Sequence, residues 1–582
     1  MLVPLTSHLL PVLQADALTR RNAGEAASQS VVRRRYQAPP HAAVSNLGEC
    51  VMVLGLLAMT AELQPHLGDD FLDAGVQPNP PTPPATAARQ QAGQRDRITG
   101  AMPCADDVKL MKFHGIYQQD DRDLRDERRR QKLEPAYQFM IRVRLPGGVC
   151  TPAQWLKLDE LARAHGGETL RVTTRQTFQF HWVLKNRLQP VIQGLHDALL
   201  DTIAACGDDS RGVMCTVDPQ ASRFHAEVAA MAKRVSDHVI PKTRAYHEIW
   251  YGEERIASSG PEDPFYGRTY MPRKFKIGFA LPPSNDIDVY AQDLGFIAIG
   301  GPDGLEGFNV VIGGGMGRTD QAPETYPRLA SLIGFVPASQ VIACADAVMA
   351  VQRDYGDRKD RQRARFKYTI DDKGQDWIKA EIERVMDAPF GEPRSFIFTS
   401  NGDTPGWSAT PDGRQHRTIF VENGRLDRKL LDAFRDLARI HRGTFRLTPN
   451  QNLIVAGVKP EDRPAIDAVL GDHGLGTDTF SALRRNAIAC VALPTCGLAM
   501  AESERYMPSL IARIESILAS HGLSAEPITI RMSGCPNGCS RPYIAEIGLT
   551  GRAPGKYNLY LGGGFHGQRL NRMVRENVGE AA

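Results

Sequence analysis

The chain repeats itself. LARAHGG at 161–167 recurs as LARIHRG at 437–443, 276 positions on, and RVTTRQ at 171–176 recurs as RLTPNQ at 446–451, 275 positions on. Cys215 and Cys490 also stand 275 apart. Farther along, FNVVIGGG at 308–315 recurs as YNLYLGGG at 557–564, 249 positions on. Matches that keep their order and nearly their spacing mark a duplication, so the fold must be assembled from two related copies. In each copy apolar residues spaced by three and four precede an extended run. They are Trp155, Leu158, Leu161 and Ala162 in the first, and Leu431, Phe434, Leu437 and Ala438 in the second. That spacing is helical, and helices alternating with strands predict an α+β fold.

A chain of 582 residues is too long for one core and calls for several domains. A net charge of +3 gives no argument for nucleic acid or an anionic membrane surface. The longest apolar run, Val51 to Met59, is too short to span a bilayer. Ten cysteines over this length make no disulfide scaffold, so a reducing, cytoplasmic setting is expected. Residues 77–94 are rich in Pro, Ala and Thr and read as a linker. Residues 1–105 are therefore expected to be a poorly ordered extension, with a helix around Cys50 to Leu63.

Four cysteines near the C-terminus form two close pairs. Cys490 and Cys496 have five residues between them, and Cys535 and Cys539 have three. Thiolate is a soft ligand that suits zinc, copper(I) or iron–sulfur clusters. Structural zinc sites usually space their cysteines by two to four residues, so the first pair favours an iron–sulfur cluster. A zinc site and four unrelated buried cysteines stay open on spacing alone. Pro536, Asn537 and Gly538 predict a tight turn inside the second pair. The first copy keeps Cys215 but has Ala221 at the matching spacing, so only the second copy can supply four thiols.

Basic residues form the other pattern. Arg171, Thr173, Arg175, Thr177, Gln179 and His181 alternate with a set that includes Val172, Phe178, Phe180 and Trp182, which reads as one strand with a polar face. Lys274 and Lys276 share a face, as do Arg142 and Arg144, and Arg211 lies in DSRGVMCT. A solvated surface is the ordinary reading of any one of these charges. GGGMG at 313–317 and GGGFHG at 562–567 are either close backbone approaches or tight turns. The first lacks the acidic residue that a dinucleotide fingerprint carries about 20 positions on.

TCGLAMAESERY, RMSGCPNGCSRP and GRAPGKYNLYLGGG resemble the sulfite and nitrite reductase family. KFHGIYQQDDRDLR at 112–125, IRVRLPGG at 141–148, RVTTRQTFQFH at 171–181 and YMPRKFK at 270–276 are similar to its assimilatory haemoprotein branch. The resemblance runs from about residue 106 to the end. It implies duplicated ferredoxin-like half-modules at 106–195 and 401–475, and two larger α+β modules at 196–400 and 476–582, related by a pseudo-twofold axis. The last module is expected to be short at its C-terminus. The implied cofactors are a 4Fe-4S cluster on Cys490, Cys496, Cys535 and Cys539, and a sirohaem whose iron also takes Cys539. Arg171, Arg175, Gln179 and His181 would hold the sirohaem, and Arg142, Arg211, Lys274 and Lys276 would surround the substrate. The implied activity is six-electron reduction of sulfite to sulfide in sulfur assimilation and cysteine biosynthesis. A nitrite reductase of the same family and a non-catalytic cluster- or metal-binding module are the alternatives. QQDDRD at 118–123 favours an NADPH-dependent flavoprotein subunit as electron donor over ferredoxin.

Overall fold

The computed structural model describes residues 100–580 apart from 103–107, 109–110, 218–221, 243–247, 252–253, 259–262, 268 and 477–478. The expected linker at 77–94 and the helix around Cys50 to Leu63 lie outside the described residues, as does nearly all of the 1–105 extension.

Two five-stranded antiparallel sheets form the first pair. One runs in the order Ile116–Asp120, Tyr137–Arg142, Phe178–Val183, Leu170–Val172, Arg425–Leu426. The other runs Gly406–Ala409, Gln415–Ile419, Leu453–Val458, Thr444–Leu447, Val149–Cys150. Their last strands are exchanged. Arg425–Leu426 of the second copy closes the first sheet, and Val149–Cys150 of the first copy closes the second. The two strands stand 276 apart, the same offset as the sequence repeat. The 106–195 and 401–475 segments are thus not separate bodies, because each lends the other an edge strand.

Each exchanged strand leads into a capped helix. Thr151 and Gln154 form a reciprocal capping box at the start of Pro152–His165. Asp427 accepts from the Leu430 N–H at the start of Arg428–Ile440. The two helices contribute to one core, where the Trp155 ring lies 4.9 Å from Phe434 and 5.4 Å from Phe178. The predicted apolar faces are the buried ones in both helices.

Two glutamines lock the exchange. Gln176 and Gln451, 275 apart, both adopt left-handed backbone conformations, with φ of 54° and 72°. Gln176 Nε2 donates to the Leu447 carbonyl at 3.2 Å, and Gln451 Nε2 donates to the Val172 carbonyl at 3.3 Å. Leu447 and Val172 are themselves 275 apart. Gly148 and Gly424 pass so close to these same two carbonyls that a Cβ at either position would collide with them, and both have positive φ.

The other two sheets also share one plan. In the first copy the order is Met214–Cys215, Ile277–Ala280, Leu294–Gly301, Gly304–Ile312, Ser331–Pro337. In the second it is Ala487–Ala489, Ile530–Ser533, Ile547–Ala553, Lys556–Leu561, Arg572–Val578. In both, the first three strands are parallel and the last two antiparallel. A helix joins the first two strands, Arg223–His238 in one copy and Met507–Ser520 in the other.

Two expectations change here. The stretch 171–182 is not one strand. Leu170–Val172 turns back through 173–177 to pair with Phe178–Val183, so Arg171 lies directly opposite Gln179. The spacing of Tyr506, Leu510, Ile514 and Ile517 predicts an amphipathic helix from Leu498 to His521, and the helix observed starts only at Met507, with Pro508 in its first turn. Its buried residues are Met507 and Ile511, while Ile517 is 58% exposed.

Candidate cysteine and cation site

Parallel pairing of Ala489 with Met532 brings the ends of two strands together, and a cysteine lies just beyond each. The Cys490 N–H donates to the Met532 carbonyl at 3.1 Å, and the Gly534 N–H donates to Cys490 Sγ at 3.2 Å. Cys496 sits in a turn closed by its N–H on the Ala492 carbonyl, 2.9 Å. From Cys535 the chain turns through Gly538, whose N–H donates back to the Cys535 carbonyl at 3.3 Å. Gly538 has φ +62°, and a Cβ there would lie 2.8 Å from the Tyr543 ring, so the expected tight turn requires glycine.

Burial raises the thiols of Cys490, Cys496 and Cys535, that of Cys490 to about 12, and the nearby charge of Cys539 adds to the effect on each. Cys490, Cys496 and Cys535 therefore resist ionisation until a cation compensates them. Among the described residues no three His, Cys, Asp or Glu side chains gather closely enough to hold a single metal ion. Four soft donors from two facing turns fit a polynuclear iron–sulfur group.

The first copy closes over this turn. The Arg318 N–H donates to the Pro536 carbonyl at 3.2 Å, and a Cβ on Gly317 would stand 3.2 Å from the Asn537 carbonyl oxygen. The GGGMG run is therefore a close backbone approach against the second cysteine pair. Thr174 Oγ1 donates to the Cys539 carbonyl at 3.2 Å.

Near Cys539 lies a group of cations. Arg142 donates to Cys206 Sγ at 2.9 Å and to the Ala205 carbonyl at 3.3 Å. With its amide oxygen facing Arg142, Gln179 accepts from Nη2 at 2.7 Å. Arg211 shares the Ala205 carbonyl, at 3.1 Å. The Arg211 N–H also donates to the Phe275 carbonyl at 2.8 Å, which places Arg211 beside the lysines on either side of Phe275. Lys274 and Lys276 precede the strand Ile277–Ala280 in extended chain and are half-buried while Phe275 is buried. Burial, then Arg273, Arg365 and Arg211, lower Lys274 to about 7, with Cys539 acting in the opposite sense. Burial, then Arg365, Arg175 and Lys274, hold Lys276 well below its ordinary value. Arg175, in the 173–177 turn, donates to the Gly212 carbonyl at 2.6 Å and to Gln292 Oε1 at 2.8 Å, and its Nε is buried without a partner.

Two expected residues are placed differently. Arg171 is buried and engaged by Glu504 Oε2 at 2.7 Å and by the Ala489 carbonyl at 2.8 Å. The Glu504 N–H donates to the Cys490 carbonyl at 3.1 Å. Arg171 therefore braces the cysteine strand and does not project as a free cation. His181 is buried with neither ring nitrogen hydrogen-bonded, and burial followed by Arg425, Arg171 and Arg142 keeps it neutral.

Sequence reasoning missed Arg365 and Asp293. Arg365 Nη2 meets both Asp293 oxygens at 2.9 Å, and Asp293 Oδ2 accepts from the Lys276 N–H at 2.9 Å. It also missed Asp288, which pairs with both Arg531 and Arg541. Neither acid lies in a motif. Glu504 does, inside AESERY, but its partner Arg171 is 333 residues away.

Comparison with known proteins places this geometry. The family model described as the nitrite/sulfite reductase ferredoxin-like half domain matches residues 130–198 and 409–473. The one described as the nitrite and sulphite reductase 4Fe-4S domain matches 230–390, in the copy without the four cysteines. Proteins named sulfite reductase [NADPH] hemoprotein beta-component are similar over most of their length. The one from Nitrosomonas eutropha is 70% identical over 493 residues, 84% of this chain and 86% of that one. The one from Staphylococcus carnosus is 55% identical over 496 residues, 84% of this chain and 87% of that one. The solved structure of the Mycobacterium tuberculosis NirA protein aligns with a TM-score of 0.66 at 25% identity, over 84% of this chain and 87% of that one. Joined to the duplicated half-modules, these matches show that the chain belongs to the nitrite and sulfite reductase family.

Proposed function

We propose that this chain reduces sulfite to sulfide by six electrons as the haemoprotein component of an assimilatory sulfite reductase. One observation carries the reading: the cysteine turn of one copy meets the cation group of the other, through Thr174 on the Cys539 carbonyl and through Lys274 beside Cys539. Cys490, Cys496, Cys535 and Cys539 would hold a 4Fe-4S cluster, and Cys539 would face a sirohaem whose carboxylates Arg175 and neighbouring N–H donors can take. Bound there, the pair supplies electron storage joined to a reducible iron that takes the substrate.

The chain's own residues do the rest. Arg142, Arg211, Lys274 and Lys276 bind the anion and hold its oxygens in a cationic wall. The two arginines are held by the Ala205 carbonyl, so they need no reorganisation when negative charge develops. The two lysines, with lowered affinity for protons, can release a proton to a departing oxygen and be recharged from solvent. Asp293 fixes the Lys276 backbone and neutralises Arg365.

Electrons come from a partner. The names of the relatives specify NADPH, which supports an NADPH-dependent flavoprotein subunit, and ferredoxin is the second reading. The described cysteines are unpaired, and no helix among the described residues is long and apolar enough to cross a membrane. The unpaired thiols fit work in a reducing cytoplasm.

Purified from a host that makes sirohaem, the protein should show a haem Soret band, contain iron and acid-labile sulfide, and make sulfide with a reduced dye. Lys274→Met or Lys276→Met should keep both cofactors and lose about tenfold in sulfite turnover, roughly 1.4 kcal/mol. A colourless, zinc-only protein would refute the reading.

A further inference from the structure

We propose that Asp209 is a positioning residue of the anion pocket: held there as a neutral acid, it leaves the charge of Arg211 to the substrate, and its ionisation at alkaline pH weakens substrate binding. This rests on the function proposed above.

Asp209 lies in the loop 204–211, whose carbonyls hold the arginines of the cation group. Arg144 Nη1 donates to the carbonyls of Ala204 and Ser210, at 3.4 and 3.2 Å. Arg142 and Arg211 share the Ala205 carbonyl. The same loop is tied to the lysine segment, since the Phe275 N–H, between Lys274 and Lys276, donates to the Asp209 carbonyl at 2.9 Å. The Asp209 carboxyl takes no part in this. It is fully buried, and neither of its oxygens has a hydrogen-bond partner. Donors stand around it, all turned elsewhere. Arg211 Nε lies 3.8 Å from Asp209 Oδ1 but donates to the Gly207 carbonyl at 3.0 Å. Arg144 Nη2 donates to the Ser236 carbonyl at 3.1 Å and to Ser236 Oγ at 3.0 Å. The Tyr266 hydroxyl donates to the Val239 carbonyl at 2.6 Å and accepts from the Ser210 N–H at 3.2 Å. Asp208, the next acid on the loop, pairs with Arg273 and Arg361 at 3.6 and 2.7 Å.

An ionised carboxylate between two guanidinium groups would draw them into paired hydrogen bonds. A neutral carboxyl does not, and burial favours the neutral form. Burial, against the pull of Arg211 and with Asp208 adding to it, pushes Asp209 up to about 8. Below that pH the acid is neutral, and Arg211 presents its full charge to the pocket. Above it a carboxylate stands 3.8 Å from Arg211 Nε and offsets that charge, so a bound anion is held less tightly. Linkage makes the effect mutual: an anion in the pocket raises the affinity of Asp209 for its proton. Anion and proton therefore enter together, at a site whose reaction consumes protons. A carboxyl without hydrogen bonds fastens nothing through its oxygens. An apolar side chain of similar size should fit in its place and leave no polar group unpaired.

The test measures anion affinity against pH in the holoenzyme. The variants are Asp209→Asn, neutral at every pH, and Asp209→Val, which removes the acid and asks for no hydrogen bond. Nitrite is the probe, because it stays a monoanion across neutral and alkaline pH, and its Kd is read from the shift of the Soret band. Lys274, lowered to about 7, loses its proton in the same range, so affinity should fall with rising pH in all three proteins. The parent should fall further. Above about pH 8 its Kd should exceed that of either variant by about fivefold or more. The KM for sulfite under reduced methyl viologen should separate the proteins in the same direction, and by more than kcat does. Equal pH dependence in parent and variants overturns the proposal, since the lysines alone then account for it. Loss of cofactors or of denaturant stability in both variants also overturns it, by making Asp209 a structural group. A parent that makes no sulfide under the viologen refutes the proposed function instead, whatever the nitrite curves show.

Discussion

Cys539 differs from the other three cysteines in its surroundings. It is exposed, while Cys490 and Cys496 are half-buried and Cys535 is buried. Its carbonyl is held by Thr174 of the first copy, and its charge is felt by Lys274. It alone stands between the cysteine group and the cation group, which gives it a distinct expected signature. Cys490→Ser should cost the cluster first, seen as lost iron and acid-labile sulfide. Cys539→Ser should perturb the haem optical and paramagnetic spectra as well, because serine is a harder and poorer ligand for such iron. A Cys539→Ser protein with a normal haem spectrum would move the bridging role elsewhere, Cys535 being next. At this scale the thiols and the paired lysines were legible because their spacing is local. The role of Arg171 was not. Strand alternation says which way a side chain points, and it cannot say that Glu504, 333 residues on, is waiting there.

Helix faces were the most legible elements, since Trp155, Leu158, Leu161 and Ala162 are all buried, as are Leu431, Phe434, Leu437 and Ala438. The 173–177 turn was not, because Thr-Thr-Arg-Gln-Thr holds no glycine, proline or asparagine to announce it. The repeat does announce it: Pro449 and Asn450 occupy the positions equivalent to Thr174 and Arg175. Reading one copy's turn through the other would have split the strand correctly. The two turns also make a graded prediction. Gln176 makes three hydrogen bonds, to Cys215 N–H and to the carbonyls of Cys215 and Leu447. Gln451 makes two, to the carbonyls of Val172 and Asn423, and its own oxygen has no partner. Replacing either by alanine leaves buried carbonyls unsatisfied, at about 1–3 kcal/mol. Gln176→Ala should fall near the top of that range and Gln451→Ala near the bottom. Denaturant unfolding of the two variants checks the order. Equal losses would mean that the backbone conformation, common to both, sets the stability.

The duplication fixed the molecule's plan: two sheets with exchanged edges and two sheets of matching order. It did not reveal how the two larger modules are joined, because Asp288 and Arg541, at equivalent left-handed positions of the two copies, carry opposite charges and share no repeated motif. Asp288, fully buried in the first copy, takes Arg531 Nη1 at 2.5 Å, Arg541 Nε, and Asn401 Nδ2 at 3.0 Å. Arg541 in turn donates to the Thr174 carbonyl at 3.1 Å. Arg531 lies four residues before Cys535 and Arg541 two after Cys539, so one carboxylate holds both ends of the second cysteine turn against the first copy. Removing it leaves two buried guanidinium groups facing each other. Breaking a buried ion pair from one side costs about 3–5 kcal/mol. Asp288→Ala should therefore lower stability by about that amount, with faster hydrogen exchange concentrated in 530–541. Asp288→Asn keeps the shape and a hydrogen-bond acceptor but not the charge, and should fall between the two. If exchange in 530–541 stays slow while stability drops elsewhere, Asp288 supports its own module and the cysteine turn is held by other contacts. The GGGMG run against Pro536 and Asn537 is then the next to vary.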